Sequence, residues 1–555
     1  MNGPVPDVLI IGAGAGGCAM AWRLAELGVD ALVLDAGPPF ATTDFHADVA
    51  DWEDHLFPER PGSQGRCTAQ LDRLDPSWDG LRSWSRNYGP QAPGDQRRFA
   101  AYQHVRGLGG STLHFTAESH RLHPAAMALR SRFGVAVDWP FDYAALAPHY
   151  EAAERQLGTA GSPADRSRPR GGDFPLPPHR PSYASQRLMA ATEPLALGWV
   201  PNPVAIPSQA YGGRPPCIYC GQCHRGCQVG DKGSFDRVFL APAVASGRCS
   251  VRHGLRVLRI EAEGERVRRV VCRDARNVDV VLEARVVVLA AGAIESPRLL
   301  LNSAAAHSPE GLCNESGQVG RHFMETVSTV LSGLHPEPLG SMRGLPADII
   351  SWRYNAPDAI PGLVGGCRFT PATATAELAG PVNHARRMLE SWGDALIADL
   401  RRTYGSAFAL GAIGESLPHD KAFVALDATE RDADGLPLAR IHAGHEASTP
   451  ARLKFMLDKS REILAAFGIT DIREQITSYD LFNATHVFGT CRMGADPARS
   501  VVDAGGRSHR WPNLFVADAS VFPTSGGGEA PTLTIAAIAH RSAGIVRDAL
   551  ARRDI

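Results

Sequence analysis

The chain has 555 residues, of which 57 are Lys or Arg and 59 are Asp or Glu, giving a formal net charge of -2. This balance excludes a polybasic nucleic-acid-binding protein and an acidic disordered chain. Apolar runs such as Val286 to Ala291 are far shorter than the roughly 20 residues that span a bilayer, so we expect no transmembrane segment. The N-terminus MNGPVPDVLII lacks the positive region of a secretory signal, and we therefore expect a cytoplasmic protein.

The first forty residues predict a strand, a glycine turn, a helix and a second strand. An apolar run ends at Ile11, Gly12 to Gly17 follow, and a second apolar run ends at Asp35. In such a βαβ unit the first glycine permits the turn, the second admits a pyrophosphate and the third lets the helix pack closely. Those positions are Gly12, Gly14 and Gly17, and Asp35 stands where a carboxylate accepts hydrogen bonds from a ribose diol. The pattern predicts dinucleotide binding.

The later elements recur far apart along the chain. Residues 159–183 are rich in Pro, Gly and Arg and predict a long surface loop or linker. Alternating runs between residues 250 and 288 predict a β-meander, which ends in a buried strand from Val286. Helices are predicted from Ser296 to Asn302 and from Thr532 to Asp548, with a buried strand at 513–517. We therefore predict one nucleotide-binding domain built from discontinuous segments, with a second domain over it.

Four of the eleven cysteines are clustered, at positions 217, 220, 223 and 227. An odd total without an export signal argues against a disulfide framework. The spacing C-x2-C-x2-C-x3-C is that of a ferredoxin iron–sulfur run, although Gln228 stands where proline usually follows. Thiols that organise a loop are the favoured interpretation, with an iron–sulfur cluster and a zinc site as alternatives.

Four separated motifs resemble, in order, the glucose-methanol-choline (GMC) family of flavin-dependent oxidoreductases. They are the N-terminal βαβ unit, RGLGGSTLH at 106–114, GAIESPRLLLNS at 292–303, and HVFGTCRMG at 486–494 with its continuation to PTLT at 531–534. The resemblance implies an α/β protein with a Rossmann-like FAD-binding domain and an α+β substrate domain that contains an antiparallel sheet. The FAD-binding domain would comprise residues 1–45, 100–125, 235–320 and 481–555; the substrate domain and lid would comprise 46–99, 126–234 and 321–480.

The resemblance also implies which residues contact the cofactor. Gly109, Gly110 and Ser111 would lie beside the flavin ring, where glycines allow close backbone approach. Asp518 would face the ribityl and pyrophosphate region, with a helix N-cap as its alternative role. His114 matches a histidine that some relatives bond covalently to the flavin and others do not. The predicted cofactor contacts are Gly12, Gly14, Gly17, Asp35, Gly109, Gly110, Ser111, His114, Ala291, Asp518 and Thr532.

The implied reaction is oxidation of an alcohol to a carbonyl, with hydride transfer to flavin N5. His486 matches the family's catalytic base, a role that suits imidazole. The family's second His or Asn aligns with Ala530, which cannot hydrogen-bond a substrate. Neighbouring Glu529 is therefore the candidate second catalytic group, with an exposed loop carboxylate as the alternative.

The cysteine run resembles a segment of the family's sugar and sugar-acid dehydrogenases and long-chain alcohol oxidases. In certain sugar dehydrogenases, cysteines at the spacing of Cys217, Cys223 and Cys227 hold a three-iron cluster. By this analogy we expect a sugar, polyol or glycoside substrate rather than a long-chain alcohol. The acceptor after the flavin is oxygen, a quinone or a protein, and the motifs do not distinguish among these. Ala530 also leaves a non-catalytic flavin-binding subunit as a rival interpretation.

Overall fold

The computed structural model describes residues 5–45, 52–53, 66–100, 102, 104–306, 308–482 and 486–555. The N-terminal residues 1–4 and parts of the predicted segment 46–99 lie outside this range. The α-helices are α1 Ala15–Glu26, α2 Leu129–Phe133, α3 Tyr143–Leu157, α4 Tyr183–Ala191, α5 Ala241–Ala245, α6 Gly292–Asn302, α7 Pro381–Met388, α8 Gly393–Thr403, α9 Thr449–Ala466 and α10 Thr532–Arg552. Short 3₁₀ turns occur at Thr42–Asp44, Pro76–Leu81, Gly110–Leu113, Pro124–Met127, Glu193–Leu195 and Ala519–Val521, and a π-turn at Asp236–Leu240.

The strands are β1 Val8–Ile11, β2 Ala31–Leu34, β3 Cys67–Leu71, β4 Trp84–Ser85, β5 Gly89–Pro90, β6 Arg98–Phe99, β7 Val200–Pro201, β8 Cys249–Arg252, β9 Arg256–Glu263, β10 Arg266–Arg273, β11 Asp279–Glu283, β12 Val286–Leu289, β13 Met324–Glu325, β14 Val327–Leu334, β15 Ile349–Ile350, β16 Cys367–Pro371, β17 Ala407–Gly414, β18 Phe423–Arg431, β19 Pro437–Ala443, β20 Ile472–Thr477, β21 Leu481–Phe482, β22 Val487–Phe488 and β23 Leu514–Val516.

A five-stranded parallel sheet has the strand order β23-β12-β1-β2-β8. Every residue of β1, β2 and β12 is buried, as is usual where helices or sheets cover both faces of a parallel sheet. Helix α1 packs against α10, which brings the two ends of the chain together. The strands come from the beginning, middle and end of the chain, and the predicted α/β fold with a discontinuous nucleotide-binding sheet is confirmed.

The predicted β-meander is present as β9, β10 and β11, paired antiparallel. Its first predicted run, Val251 to Ile260, is in fact two strands. Residues 249–252 pair with β2 in the parallel sheet, and the chain then turns at Gly254, whose φ is +66°, before β9 begins. The stretch predicted as one alternating run therefore contains a turn between two sheets.

A six-stranded antiparallel sheet, ordered β16-β17-β14-β20-β4-β5, forms the second layer. Because side chains alternate across a strand, its central strands have two different faces. One face buries Leu331, Phe369 and Leu410 in a hydrophobic core that also contains residues of α9. The opposite face carries Arg368 and its paired neighbour Ile413, and this face is turned towards the large cavity described below.

The segment 159–183 contains no helix or strand before α4 among the described residues and is exposed at 171–173, as predicted, but other parts of it are not at the surface. Leu176 and His179 are buried, and Arg168 is only 8% exposed. Ala160 forms bridges with both Leu176 and Val204, so the segment is packed into the protein. None of the helices in the described ranges is long and apolar enough to cross a membrane.

Candidate active site

A cavity of about 1030 Å³ extends from the glycine turn after β1 to the antiparallel sheet. Its size is at the upper end of the range of roughly 300–1000 Å³ found for ligand pockets. Among its lining residues are nine of the predicted cofactor contacts together with the predicted base: Gly12, Gly14, Asp35, Gly110, Ser111, His114, Ala291, Asp518, Thr532 and His486. Gly17, Gly109 and Glu529 are not among the residues lining this cavity.

The three glycines of the first turn have different surroundings. Gly12 has a φ of +101°, and a Cβ there would lie 2.5 Å from the carbonyl oxygen of Ala290. A Cβ on Gly17 would overlap the carbonyl oxygen of Gly12, so only glycine lets α1 approach β1 this closely. Gly14 has no atom within 4 Å of the position of a Cβ, and it borders the cavity.

The second glycine segment lies directly against the first. The Gly109 amide donates a hydrogen bond to the carbonyl oxygen of Ala13 at 2.8 Å. A Cβ on Gly110 would be 2.9 Å from the Cα of Gly14, and the φ of Gly110 is +54°. The two motifs, about a hundred residues apart in sequence, thus form one glycine-lined wall of the cavity.

Two aspartates receive backbone hydrogen bonds at this wall, the half-buried Asp35 and the buried Asp518. Asp35 accepts from the amides of Ala13 and Gly37, each at 2.8 Å. Burial raises the pKa of Asp35, and these two amides oppose the rise. Asp518 accepts from Gly292 N at the start of α6 and caps the 3₁₀ turn that follows it. The helix-cap role considered for Asp518 is therefore present, and its position in the cavity wall is compatible with a cofactor contact as well.

His114 lies at the end of the Gly110–Leu113 turn, is 6% exposed and lines the cavity. The buried ammonium of Lys232 holds the backbone on both sides of this histidine, donating to Leu113 O at 2.9 Å and Phe115 O at 3.1 Å. A third bond from Lys232, of 2.7 Å, reaches Cys223 O and ties the cysteine-rich segment to the same wall.

His486 lines the cavity just before β22, and its carbonyl oxygen accepts a hydrogen bond from Thr326 N at 3.1 Å. Burial, together with the smaller effect of the neighbouring Arg368 guanidinium, lowers the pKa of this imidazole to about 4. The ring is therefore neutral near pH 7, which is the form that accepts a proton.

His120, a residue that the sequence motifs did not identify, contacts the backbone at Ala530. The Ala530 amide donates to Nδ1 of His120 at 3.1 Å. Nε2 of His120 therefore carries the ring proton and donates to Asn202 Oδ1 at 2.8 Å. Burial lowers the pKa of His120 to about 4, so this ring is also neutral.

An ion pair continues this network into the cavity wall. Asn202 donates to Glu118 Oε1 at 2.9 Å, and Arg368 Nη2 donates to Glu118 Oε2 at 2.7 Å. Burial alone would raise the pKa of Glu118, but Arg368, His120 and the hydrogen bonds lower it to about 2. Arg368 Nε also donates to Gly528 O at 2.6 Å, two residues before Ala530. Both Glu118 and Arg368 line the cavity.

Glu529 is placed differently from either expectation. It is fully buried rather than an exposed loop carboxylate, and it forms an ion pair with Arg168 at 2.6 Å. It also accepts a hydrogen bond from His123 N at 3.0 Å. The Arg168 guanidinium comes from the segment predicted to be a surface linker. Glu529 thus makes a structural contact and is not among the residues that line the cavity with His486.

The four clustered cysteines differ in how far they are exposed. Within the ranges that the structure describes, no group of three or more His, Cys, Asp or Glu side chains is arranged to hold a metal ion. The Cys227 thiol donates to Asp231 Oδ1 at 2.8 Å, and burial raises the pKa of Cys223 to about 12. Burial and Asp231 likewise raise the pKa of Cys217. Iron and acid-labile sulfide assays test the iron–sulfur alternative, which remains a prediction.

The FAD that the resemblance implies fits the glycine-lined wall. Open space lies where Gly14 borders the cavity, and Gly14, as the N-cap of α1, places no capping side chain over the first helical turn. Amide groups at such a helix N-terminus bind phosphate. A half-buried carboxylate, Asp35, lies at the end of the neighbouring strand and lines the cavity.

Comparison with known proteins agrees with the fold and the motifs. Two family profiles described as GMC oxidoreductase match residues 7–327 and 418–539. Paromamine 6'-oxidase of Streptomyces fradiae is 31% identical over 558 residues, covering 99% of this chain and 92% of that protein. The fructose dehydrogenase large subunit of Gluconobacter japonicus is 28% identical over 553 residues, covering 97% of each chain.

Among solved structures, pyridoxine 4-oxidase from Mesorbium loti superposes with a TM-score of 0.62 at 21% identity, covering 97% of this chain and 99% of that one. This likeness supports the fold. The family profile over more than half of the chain and the extended identity to the oxidase establish the family. The chain therefore belongs to the GMC oxidoreductase family of enzymes that act on alcohol groups.

Proposed function

We propose that this enzyme oxidises a hydroxyl group of a sugar or aminosugar to the carbonyl, with FAD held by the glycine-lined wall and His486 as the base. The observation that carries the proposal is the position of a neutral, half-buried imidazole in one cavity between that wall and the polar face of the antiparallel sheet. FAD, when bound, supplies the two-electron acceptor.

Residues of the chain would bind the cofactor and accept the substrate proton. Gly14 and the N-terminus of α1 would receive the pyrophosphate, and Asp35 the ribose diol. Gly110 and Ser111 would lie beside the flavin ring. His486 accepts the hydroxyl proton of the substrate, while the hydrogen on the carbinol carbon leaves as a hydride. The neutral His120 holds the Ala530 amide, so the backbone at the position of the missing side chain is fixed.

The polar face of the antiparallel sheet supports a hydroxylated substrate. Ser328, Thr370 and Ser478 line the cavity on strands β14 and β16 and just after β20. Such hydroxyl groups both donate to and accept from sugar hydroxyls. Two relatives with substrates of this kind by name, paromamine 6'-oxidase and fructose dehydrogenase, support the same class.

Product analysis tests this assignment. The holoenzyme is incubated with paromamine, fructose, a polyol and a long-chain alcohol, and new aldehydes or ketones are trapped and identified by mass spectrometry. We expect carbonyl products from a sugar-derived member of the panel. Turnover of the long-chain alcohol alone would instead support the alternative substrate class.

The state of His114 has a separate test. Acid precipitation leaves a yellow pellet if the flavin is bonded covalently to the protein and a colourless pellet if it is not. If the wild-type pellet is yellow, a colourless pellet from His114→Ala would identify His114 as the point of attachment.

A further inference from the structure

We propose that Arg368 is the second catalytic group of this enzyme and donates a hydrogen bond from Nη1 to the oxygen of the reacting hydroxyl. The inference rests on the proposed function and deepens it. Arg368, on strand β16 of the antiparallel sheet, would supply the hydrogen bond to the substrate that the side chain of Ala530 cannot supply.

The first observation is the hydrogen-bond inventory of the guanidinium. Nε is bonded to Gly528 O and Nη2 to Glu118 Oε2. Nη1 is buried and has no hydrogen-bond partner among the described residues. A buried unsatisfied donor on a charged group is unfavourable, so a ligand oxygen that pairs with it gains binding energy.

The second observation is position. Arg368 lines the cavity and is carried by β16 on the face opposite the hydrophobic core, in register with Ile413. Its bond to Gly528 O holds the guanidinium against the loop that contains Ala530, and the guanidinium is near enough to His486 to lower the pKa of that imidazole. The donor therefore belongs to the same corner of the cavity as the base.

The third observation is the rigidity of the group. Arg368 is fully buried, its partner Glu118 is held by Asn202, and Gly528 packs against the side-chain stem. A donor held in place before the substrate arrives stabilises developing negative charge without reorganisation. Glu118 balances the guanidinium charge in the resting enzyme.

The proposed step breaks two bonds of the substrate and forms one. The hydroxyl O–H bond breaks and its proton passes to His486, while Nη1 of Arg368 supports the negative charge that develops on oxygen. The C–H bond breaks and the C=O bond forms, so the substrate loses a hydrogen with its electron pair. FAD, when bound, would supply the acceptor for this hydride and its two electrons.

The first arm of the test does not depend on the substrate. Acetate, as a probe with an anionic oxygen, is titrated into the FAD-loaded enzyme and followed by flavin absorbance. We expect saturable binding by the wild type and at least tenfold weaker binding by Arg368→Lys, which retains the charge but lacks Nη1. Glu118→Gln is the second variant, and we expect it to bind acetate more tightly because the neutralising carboxylate is gone.

The matched control is Arg121→Lys. Arg121 is also a buried arginine paired with a glutamate, Glu154, but it does not line the cavity. We expect this control to bind acetate like the wild type. If the wild type shows no acetate binding, or if Arg368→Lys and Arg121→Lys bind it equally, the proposal is overturned.

The second arm measures anaerobic flavin reduction by whichever of paromamine and fructose reduces the wild type. Loss of a positioned donor to a developing oxyanion lowers the rate of the chemical step roughly 100-fold or more. We expect such a loss in Arg368→Lys, a smaller change in substrate dissociation constant, and partial rescue of Arg368→Ala by added guanidinium. Failure of both sugars to reduce the wild type counts against the proposed substrate class and leaves the acetate result to decide on Arg368.

Discussion

His486 and His120 are both neutral imidazoles, but their hydrogen bonds give them different capacities. His120 has one ring nitrogen bonded to Ala530 N and the other to Asn202, so neither is available to a substrate. His486 lines the cavity, and among the described residues its hydrogen bond is to its backbone carbonyl, from Thr326 N. Of the two, His486 is therefore the one that we propose as the base.

The pH dependence of flavin reduction should reflect the lowered pKa of His486. The base is active when neutral, so activity is lost as pH falls through a pKa of about 4 and not near the ordinary histidine value. We expect the anaerobic reduction rate to be flat between pH 6 and 8 as far as this group is concerned. Stopped-flow reduction over this range checks the prediction, and an inflection near pH 6.5 that disappears in His486→Gln would contradict it.

Hydrogen bonds and an ion pair from several other elements fix the loop 524–531 before α10. Trp139 donates to Thr524 Oγ1, Asn355 to Gly527 O and Arg368 to Gly528 O, and the Glu529–Arg168 ion pair closes the set. These contacts come from segments that are remote in sequence. They fix the backbone at Ala530 although its side chain offers no polar group.

Breaking the ion pair at Glu529 should destabilise the fold without removing the chemistry. Glu529→Ala leaves the Arg168 charge buried and unpaired, which typically lowers the free energy of unfolding by about 3–5 kcal/mol. The control Glu26→Ala removes an exposed pair with Arg23 and should change it by about 1 kcal/mol or less. Denaturant unfolding measures both. Unchanged stability in Glu529→Ala, together with a large loss of flavin reduction, would restore Glu529 as a catalytic group.

Gly14 and Gly17 of the first turn provide a matched pair of substitution sites. Gly17→Ala places a methyl group onto the Gly12 carbonyl, so we expect a protein that is destabilised or lacks FAD. Gly14→Ala has space for the methyl group and a φ of -79°, so we expect normal folding with weaker FAD retention. FAD content and thermal unfolding of both variants test this. Equal behaviour of the two would show that Gly14 does not border the phosphate.

Local patterns predicted the elements that follow one continuous run of sequence. The βαβ unit, the meander and α10 depend on apolar periodicity and turn residues, and all are present. The Glu118–Arg368 pair was missed because its residues are 250 positions apart and neither lies in a motif. The only local signal was an arginine in the short strand Cys367–Pro371, where it alternates with the buried Phe369. The burial of Glu529 likewise depended on Arg168, which a compositional argument placed on the surface.

At the scale of the whole molecule, buried histidines couple folding to pH. Burial lowers the pKa of His120 and His384 to about 4, below the value of about 6.5 in the unfolded chain. A lowered folded pKa means that the unfolded state binds more protons, so stability falls as pH decreases from about 6.5 towards 4. Glu415 acts in the opposite sense, because burial raises its pKa to about 7.

We therefore expect the melting temperature to fall steadily below pH 6.5. Each buried histidine contributes a slope of up to about 1.4 kcal/mol per pH unit in this window. His384→Asn should flatten the slope, since the amide does not titrate, and Glu415→Gln should steepen it between pH 4.5 and 7. Calorimetry at pH 5, 6 and 7 tests these signs. A melting temperature that rises on acidification would contradict them.

The whole molecule joins two sheets across one cavity, with FAD expected on the parallel side and the substrate on the antiparallel side. The central claim is that His486 takes the substrate proton while the flavin is reduced. Anaerobic flavin bleaching by paromamine or fructose, compared between wild type and His486→Ala with equal FAD content, tests it most directly. We expect rapid bleaching of the wild type and a loss of roughly 100-fold or more in the variant. Equal bleaching rates in the two proteins would contradict it.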